Sequence, residues 1–383
     1  MFAWELGEGL GHLPPLKAIA RAAKAEGALP VFALRDAVLS RATLAELDAV
    51  IMPAPFWPTP APPPAASGTY ADILIANGFT TAANVSALVA AWDQIIDLTK
   101  PDLMVCEHAP SAALAAYQRI PVAFVGNGFV VPPADENEFP TYERGKGEAQ
   151  RQRPVLAAIQ EGLRLAGREP PPTITEPFRG AFRGIFTFPS LDTYRHVRRE
   201  VVLGPIEAVP PLRPLPPKRL LFAYSAADYA LINDVTQALM ALGPQAAAYF
   251  RGSLGARAAV LKSRGTDVYE TAPDLASVLP QASAVFSHGG TGFTHAALAA
   301  GRPHIVNPRH FEALSTARAL EDMGAGLCLN PFEPKKFGEA VKRANEDQTV
   351  REAAQKAGAA AQAFVRGATP LATTMEALRR LPT

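Results

Sequence analysis

Cysteine is scarce in this chain. Only Cys106 and Cys328 occur among 383 residues, each inside an apolar run. That suits small buried hydrophobes in a reducing compartment better than a disulfide framework. Excess charge of one sign is also lacking, with 37 basic against 36 acidic side chains, so no field dominates and nucleic acid is not an expected partner. Long apolar runs are missing. No stretch reaches the ~20 residues of a membrane span, and Glu5, Gly7, Glu8 and Gly9 interrupt the start where a secretory leader would need an apolar core. A cytoplasmic protein without a membrane span is expected. There is no Asp-x-Asp, no zinc-type Cys or His spacing, no Gly-x-Ser-x-Gly elbow and no phosphate-loop Gly-x-x-x-x-Gly-Lys, so neither a metal nor a cofactor is implied.

Proline is plentiful, and its placement organises the chain. Six prolines fall between Gly204 and Pro217, a stiff linker that separates two lobes. The expected division is 1–204, a linker over 205–217, a second domain over 218–354, and a terminal helical segment over 355–383. The run from Met52 to Pro64 is read as a surface loop, because each proline fixes φ and removes a donor. Residues 132–176 read equally as a mobile insert or a solvated surface around one helix, Val155 to Leu165.

On either side of the linker, β-type apolar runs alternate with alanine-rich helical segments, which predicts an α/β fold built of parallel sheets. The first half shows strands at Phe2–Leu6, Pro30–Leu34, Leu103–Cys106 and Val122–Val125. Helices are read at Leu13–Ala25, Ala82–Leu98 and Ser111–Gln118. In the second half the strands are Leu220–Tyr224, Ala247–Arg251, Thr266–Tyr269, Ala284–Ser287 and His304–Asn307. Its helices are Tyr229–Leu242, Asp274–Leu279, Phe293–Ala300, Ser315–Asp322 and one from Lys335 almost to the end.

Chemistry concentrates in Phe286-Ser-His-Gly-Gly-Thr-Gly-Phe-Thr-His-Ala. A strand ends at Ser287 and a helix follows, so His288, Gly289, Gly290, Thr291 and Gly292 occupy a strand-to-helix turn. Amides without helical partners gather there, and absent β-carbons let an anion approach. Thr291 and Thr294 add hydroxyls, making a cradle for phosphate or diphosphate. A tight turn with a packed histidine is the plainer alternative.

The order of this turn, the preceding Ala272-Pro-Asp-Leu-Ala-Ser-Val-Leu-Pro and the following Gly301-Arg-Pro-His-Ile-Val-Asn-Pro resembles the nucleotide-sugar glycosyltransferases of the GT-B fold. The likeness is to the family of plant and macrolide UDP- or dTDP-sugar transferases. That resemblance implies two Rossmann-like domains facing across a cleft, a small-molecule acceptor in the first and a nucleotide sugar in the second. It also implies donor-diphosphate contacts at His288, Gly289, Gly290, Thr291 and Gly292, with Ser225 as a further contact. The chain departs from the family at two places. Ala296, beside His295, stands where a ribose-holding glutamate is usual, and Glu312-Ala313 stands for the pair that reads the sugar. His295, Glu312 and His310 are therefore the candidates for sugar or ribose contact.

Gly11-His12-Leu13-Pro14-Pro15 is similar to the first loop of the same transferases, whose histidine is the general base. An imidazole with an ordinary pKa of ~6.5 suits that task. Its supporting carboxylate is expected from Lys100-Pro-Asp-Leu-Met-Val-Cys-Glu-His108, with Glu107 or His108 in the supporting place. His304 and His310 line or flank the donor site, and His196 is read as a solvated or domain-interface residue. The resemblance implies inverting, metal-independent transfer of a sugar to an acceptor hydroxyl. A nucleotide-sugar epimerase or hydrolase and a non-catalytic nucleotide-binding protein remain as alternatives.

Overall fold

A computed structural model of the chain describes residues 1–7, 9–59, 68–142 and 151–381. It divides into two units, Met1–Ile206 with Thr369–Thr383, and Glu207–Ala368. Each is built on one six-stranded, wholly parallel sheet.

The first unit contains β1 (Phe2–Trp4), α1 (Leu13–Ala25), β2 (Val31–Leu34), α2 (Ala37–Leu44), β3 (Val50–Pro53), α3 (Tyr70–Ala76), α4 (Ala82–Thr99), β4 (Met104–Glu107), α5 (Pro110–Ala116), β5 (Val122–Gly126), α6 (Gln152–Leu165) and β6 (Phe182–Ile185). Its strand order is β3-β2-β1-β4-β5-β6. The central strands read as continuous apolar runs because helices cover both faces of a parallel sheet. Trp4, Phe32, Leu34, Val105 and Val125 share one core with Leu13, Leu16 and Ile19 of α1.

The second unit repeats the plan with β7 (Leu221–Ala226), α7 (Ile232–Leu242), β8 (Ala246–Arg251), α8 (Ala256–Ser263), β9 (Asp267–Tyr269), α9 (Leu275–Val278), β10 (Ala284–Ser287), α10 (Thr291–Ala299), β11 (His304–Val306), α11 (Phe311–Asp322), β12 (Gly326–Cys328), α12 (Pro334–Glu346) and α13 (Gln348–Gly367). Its order is β12-β11-β10-β7-β8-β9. Side chains alternate across the sheet. Leu221, Ala223 and Phe286 therefore join one core with α7 and α12, while Phe222, Val285 and Phe293 join another with α10. Buried Arg302 donates to the carbonyls of Ala282 and Ala300 and of Arg213 and Pro214, so the proline-rich segment hands its carbonyls to this unit.

A final helix, α14 (Pro370–Arg379), packs on α1, and Arg379 pairs with Glu26. The helical run read from Lys335 onward is therefore three helices. Asp347 accepts from the Thr349 amide and starts α13, and Pro370 starts α14. Residues 355–368 stay in the second unit, so the segment belonging to the first is shorter than expected.

The fold class read from the sequence is the one observed, two Rossmann-like α/β units. Three strands went unread. Met52 and Pro53 belong to β3 at a sheet edge, where a proline needs no ladder partner, so the Pro-rich run begins as a strand. Residues 60–64 of that run, and 143–150 of the candidate insert, lie outside the described residues.

In both sheets the first and fourth strands of the unit lie side by side, with the other strands running away from that pair in both directions. At such a switch point the connecting helices diverge and leave a crevice beyond the strand carboxyl ends. The registers match. Trp4 pairs with Glu107, and Tyr224 pairs with Ser287.

Candidate functional site

Both groups of candidate residues lie at these switch points. In the first unit, the chain leaving β1 turns at Gly7 (φ +86°), forms a short 3-10 turn over Leu10–His12, and enters α1 with His12 as the capping residue and prolines in the first helical turn. His12 Nδ1 lies 2.8 Å from Glu107 Oε2. A carboxylate can only accept, so Nδ1 is the donor in this contact, and in that tautomer a neutral imidazole carries its lone pair on Nε2. The glutamate reaches the ring directly. His108 stands apart, its ring centroid 6.0 Å from that of His12. The His12 ring also stacks on Trp4, at 5.1 Å and 23°. A β-carbon at Gly7 would stand 2.2 Å from Nε2, so glycine is required there both for its φ and for the room it leaves the imidazole.

The end of β1 also carries a residue that the sequence reading passed over. Glu5, 1% exposed, accepts from the Ser111 amide (3.1 Å), the Ser111 hydroxyl (2.5 Å) and the Ala112 amide. Burial pushes its carboxyl up to about 7, against these hydrogen bonds. The contacts fix the N-terminus of α5, and the Leu6 amide donates to the His108 carbonyl (3.0 Å). Together they hold the end of β4 that carries Glu107.

In the second unit β10 ends at Ser287, and α10 begins at Thr291 with Gly290 as its cap. Gly289 has φ +85° and is hemmed in, a β-carbon there standing 3.0 Å from both Val306 and Ala313. Its amide donates to Ser287 Oγ (3.0 Å), which also meets His304 Nε2 (2.8 Å). The Gly289 amide is therefore spent inside the protein. Thr294 donates to the Gly290 carbonyl (2.9 Å) and Thr291 to Glu312 (3.1 Å). The first-turn amides of Thr291, Gly292 and Phe293 lack intrahelical acceptors and carry the positive end of the helix dipole. Glu207 Oε2 stands 3.6 Å from the Cβ position of Gly292, its carboxyl raised by burial.

His288 lies over Gly290, its Nε2 3.2 Å from where a β-carbon would be. Its Nδ1 is buried without a hydrogen-bond partner among the described residues. Burial first, then the charges of Arg309, His310 and Arg251, push this imidazole down to about 4. It is neutral at pH 7 and can donate one proton without bringing charge.

The other candidates fall as follows. Ser225 lies within β7 and is 1% exposed, one position past the Tyr224 that pairs with Ser287. His295 is buried on α10 and held at about 4 by desolvation. Ala296 packs into a core with Phe222 and Val278. His310 caps α11, its Nδ1 accepting weakly from the Ala313 amide (3.5 Å). Buried His304 supports Ser287 and is held at about 3 by desolvation and the neighbouring His288. His196 is exposed. Among the described residues no group of three His, Cys, Asp or Glu side chains is placed to hold a metal ion, and no helix is long and apolar enough to cross a membrane.

The model of the erythromycin biosynthesis protein CIII-like C-terminal domain matches residues 270–373, a segment that contains the whole glycine turn. Elloramycin glycosyltransferase of Streptomyces olivaceus is 33% identical over 244 residues, which is 60% of this chain and 57% of that protein. The chain thus matches little more than half of that relative's length. The structure of the calicheamicin glycosyltransferase CalG4 superposes with a TM-score of 0.70 at 18% identity, covering 100% of this chain and 99% of that one. Glycosyltransferase VinC in complex with DTDP gives 0.64 at 15% identity, covering 99% and 98%. The two structural likenesses show the GT-B fold over the full chain.

Proposed function

We propose that the chain is a glycosyltransferase that moves a sugar from a UDP- or dTDP-sugar to a hydroxyl of a small-molecule acceptor, with inversion and without a metal. The observation that carries this reading is the 2.8 Å contact of His12 Nδ1 with Glu107, which leaves Nε2 as a proton acceptor over Gly7. In the proposed step Nε2 takes the acceptor hydroxyl proton, the hydroxyl oxygen bonds to the sugar's anomeric carbon, and the bond from that carbon to the diphosphate breaks. The electron pair leaves with the diphosphate. Glu107 holds the ring and stabilises the imidazolium that forms. The first-turn amides of α10 and the His288 proton receive the departing charge. The name of the elloramycin relative supports a small-molecule acceptor, and the nucleotide in the VinC structure supports a nucleoside diphosphate donor.

The test is a thermal-shift screen with UDP, dTDP and GDP, followed by product analysis with the matching sugar donor and a panel of hydroxylated acceptors. A stabilising nucleotide and a glycosylated product with inverted configuration are expected. Free sugar released at the same rate without any acceptor would replace transfer with hydrolysis.

A further inference from the structure

A neutral His288 leaves the second unit short of the positive charge that a diphosphate needs. The loop between β11 and α11, residues 307–310, supplies a source. Its two shoulders pack on the glycine turn, since Val306 and Ala313 are the atoms a Gly289 β-carbon would strike. The Asn307 amide donates to the Ser287 carbonyl (2.9 Å). Arg309 therefore projects from a loop held beside His288.

The guanidinium has a platform. It lies over the Tyr229 ring, 5.1 Å from the centroid, and the Tyr229 hydroxyl donates to Asn307 Oδ1, which ties the platform to the same loop. Its side chain is 23% exposed, yet among the described residues its one ion-pair partner is Asp228, 3.6 Å away and 70% exposed. A pair that long and that solvated contributes little, and it leaves most of the five guanidinium N–H donors for another acceptor. Glu312, on the helix that follows, is engaged by Thr291. Arg251, at the end of β8, is exposed.

We propose that Arg309 is a binding residue for the donor diphosphate, a permanent cation that Asp228 and Tyr229 hold ready beside the α10 N-terminus. This rests on the nucleotide-sugar reading above and adds to it the group that replaces a metal at the leaving phosphates. Support comes from the charges felt by His288, among which that of Arg309 is the largest after burial. A planar guanidinium can meet two phosphate oxygens at once, which an ammonium cannot.

The experiment is calorimetric titration of the full chain and of Arg309→Met, Arg309→Lys and Asp228→Asn with UDP and dTDP and with the matching monophosphates. Arg309→Met should weaken diphosphate binding about 10- to 100-fold, the range for a hydrogen bond to a charged group. It should weaken monophosphate binding several-fold less. Arg309→Lys should recover part of the loss, and Asp228→Asn should change binding by less than about threefold. Unchanged diphosphate affinity in Arg309→Met would overturn the inference alone, as would an equal loss for mono- and diphosphate. Wild-type protein that binds neither diphosphate would overturn the nucleotide-sugar reading and this inference with it.

Discussion

The two units place the same strands at the same switch point but treat the following helix in opposite ways. In the first, β4 ends at Glu107 and the N-terminus of α5 is filled from within, by the Glu5 carboxylate on Ser111 and Ala112. In the second, β10 ends at Ser287, and the equivalent amides of α10 belong to Gly292 and Phe293. The residue in the place of Glu5 is Ser225, with a side chain too short to carry an anion there. A helix N-terminus binds a negative group wherever one can reach it. In the first unit the chain supplies that group itself, which fixes the start of α5 after the strand that carries Glu107. In the second unit Glu207 Oε2 stands 3.6 Å from the Cβ position of Gly292, and on the reading proposed above the amides of Gly292 and Phe293 face the donor diphosphate. The two units thus differ in side-chain length and charge beside the same switch point.

The largest expected effect breaks the first unit's side of this comparison. His12→Ala should lower kcat by about 10²- to 10⁴-fold, the range for a general base, with little change in the KM for the donor. Steady-state kinetics check this, and an unchanged kcat would remove His12 from the mechanism. Next come paired glycine substitutions. Gly7→Ala places a β-carbon 2.2 Å from His12 Nε2 at φ +86° and should cost about 10²-fold in kcat, the scale of a 1 Å misplacement. Gly290→Ala meets His288 Nε2 at 3.2 Å with φ −63° and should cost far less. Similar losses in both variants would mean that the first unit is no more tightly built than the second.

A stability measurement sharpens the comparison further. The carboxyl of Glu5 is raised from 4.5 to about 7 in the folded state, so the folded protein binds that proton more tightly than the unfolded chain. The contribution is fully present below about pH 4.5 and is lost as pH rises to about 7, amounting to about 3 kcal/mol across that window. Glu5→Gln should remove this part of the pH slope in denaturant unfolding between pH 5 and 7.5, and parallel slopes for the two proteins would refute it. The smallest effect is expected at the α14 surface, where Arg379→Ala removes an exposed pair with Glu26. The melting temperature should hardly move. A large drop would show that α14 depends on this pair and not on its packing against α1.

Much of this was legible because it is local. A strand, a glycine turn and a helix in succession specify His288 and the α10 N-terminus, and Gly-His-x-x-Pro specifies His12 at the head of α1. Strands β3, β6 and β12 were not legible. They are short edge or near-edge strands, with Pro53, Gly184 and Gly326 weakening the β-type signal. The single helix read from Lys335 onward hid two breaks, because alanine-rich periodicity continues across Asp347 and Pro370. Glu5 was read only as a charge interrupting an apolar start. Its partners lie more than 100 residues away, and no local pattern marks a carboxylate that caps a distant helix.

By itself the sequence determined the α/β alternation, the glycine turn with its histidine, and the residue types of the His12 and Glu107 motifs, since period, turn chemistry and capping act over a few residues. The tertiary structure alone decided the register that sets Trp4 against Glu107 and Tyr224 against Ser287. It also decided that Glu5 fills one helix terminus and that the Arg309 guanidinium lies over the Tyr229 ring. Parallel strands joined by long crossovers meet only after the sheet has assembled, so which side chains share a switch point is a property of strand order and not of any short stretch of chain.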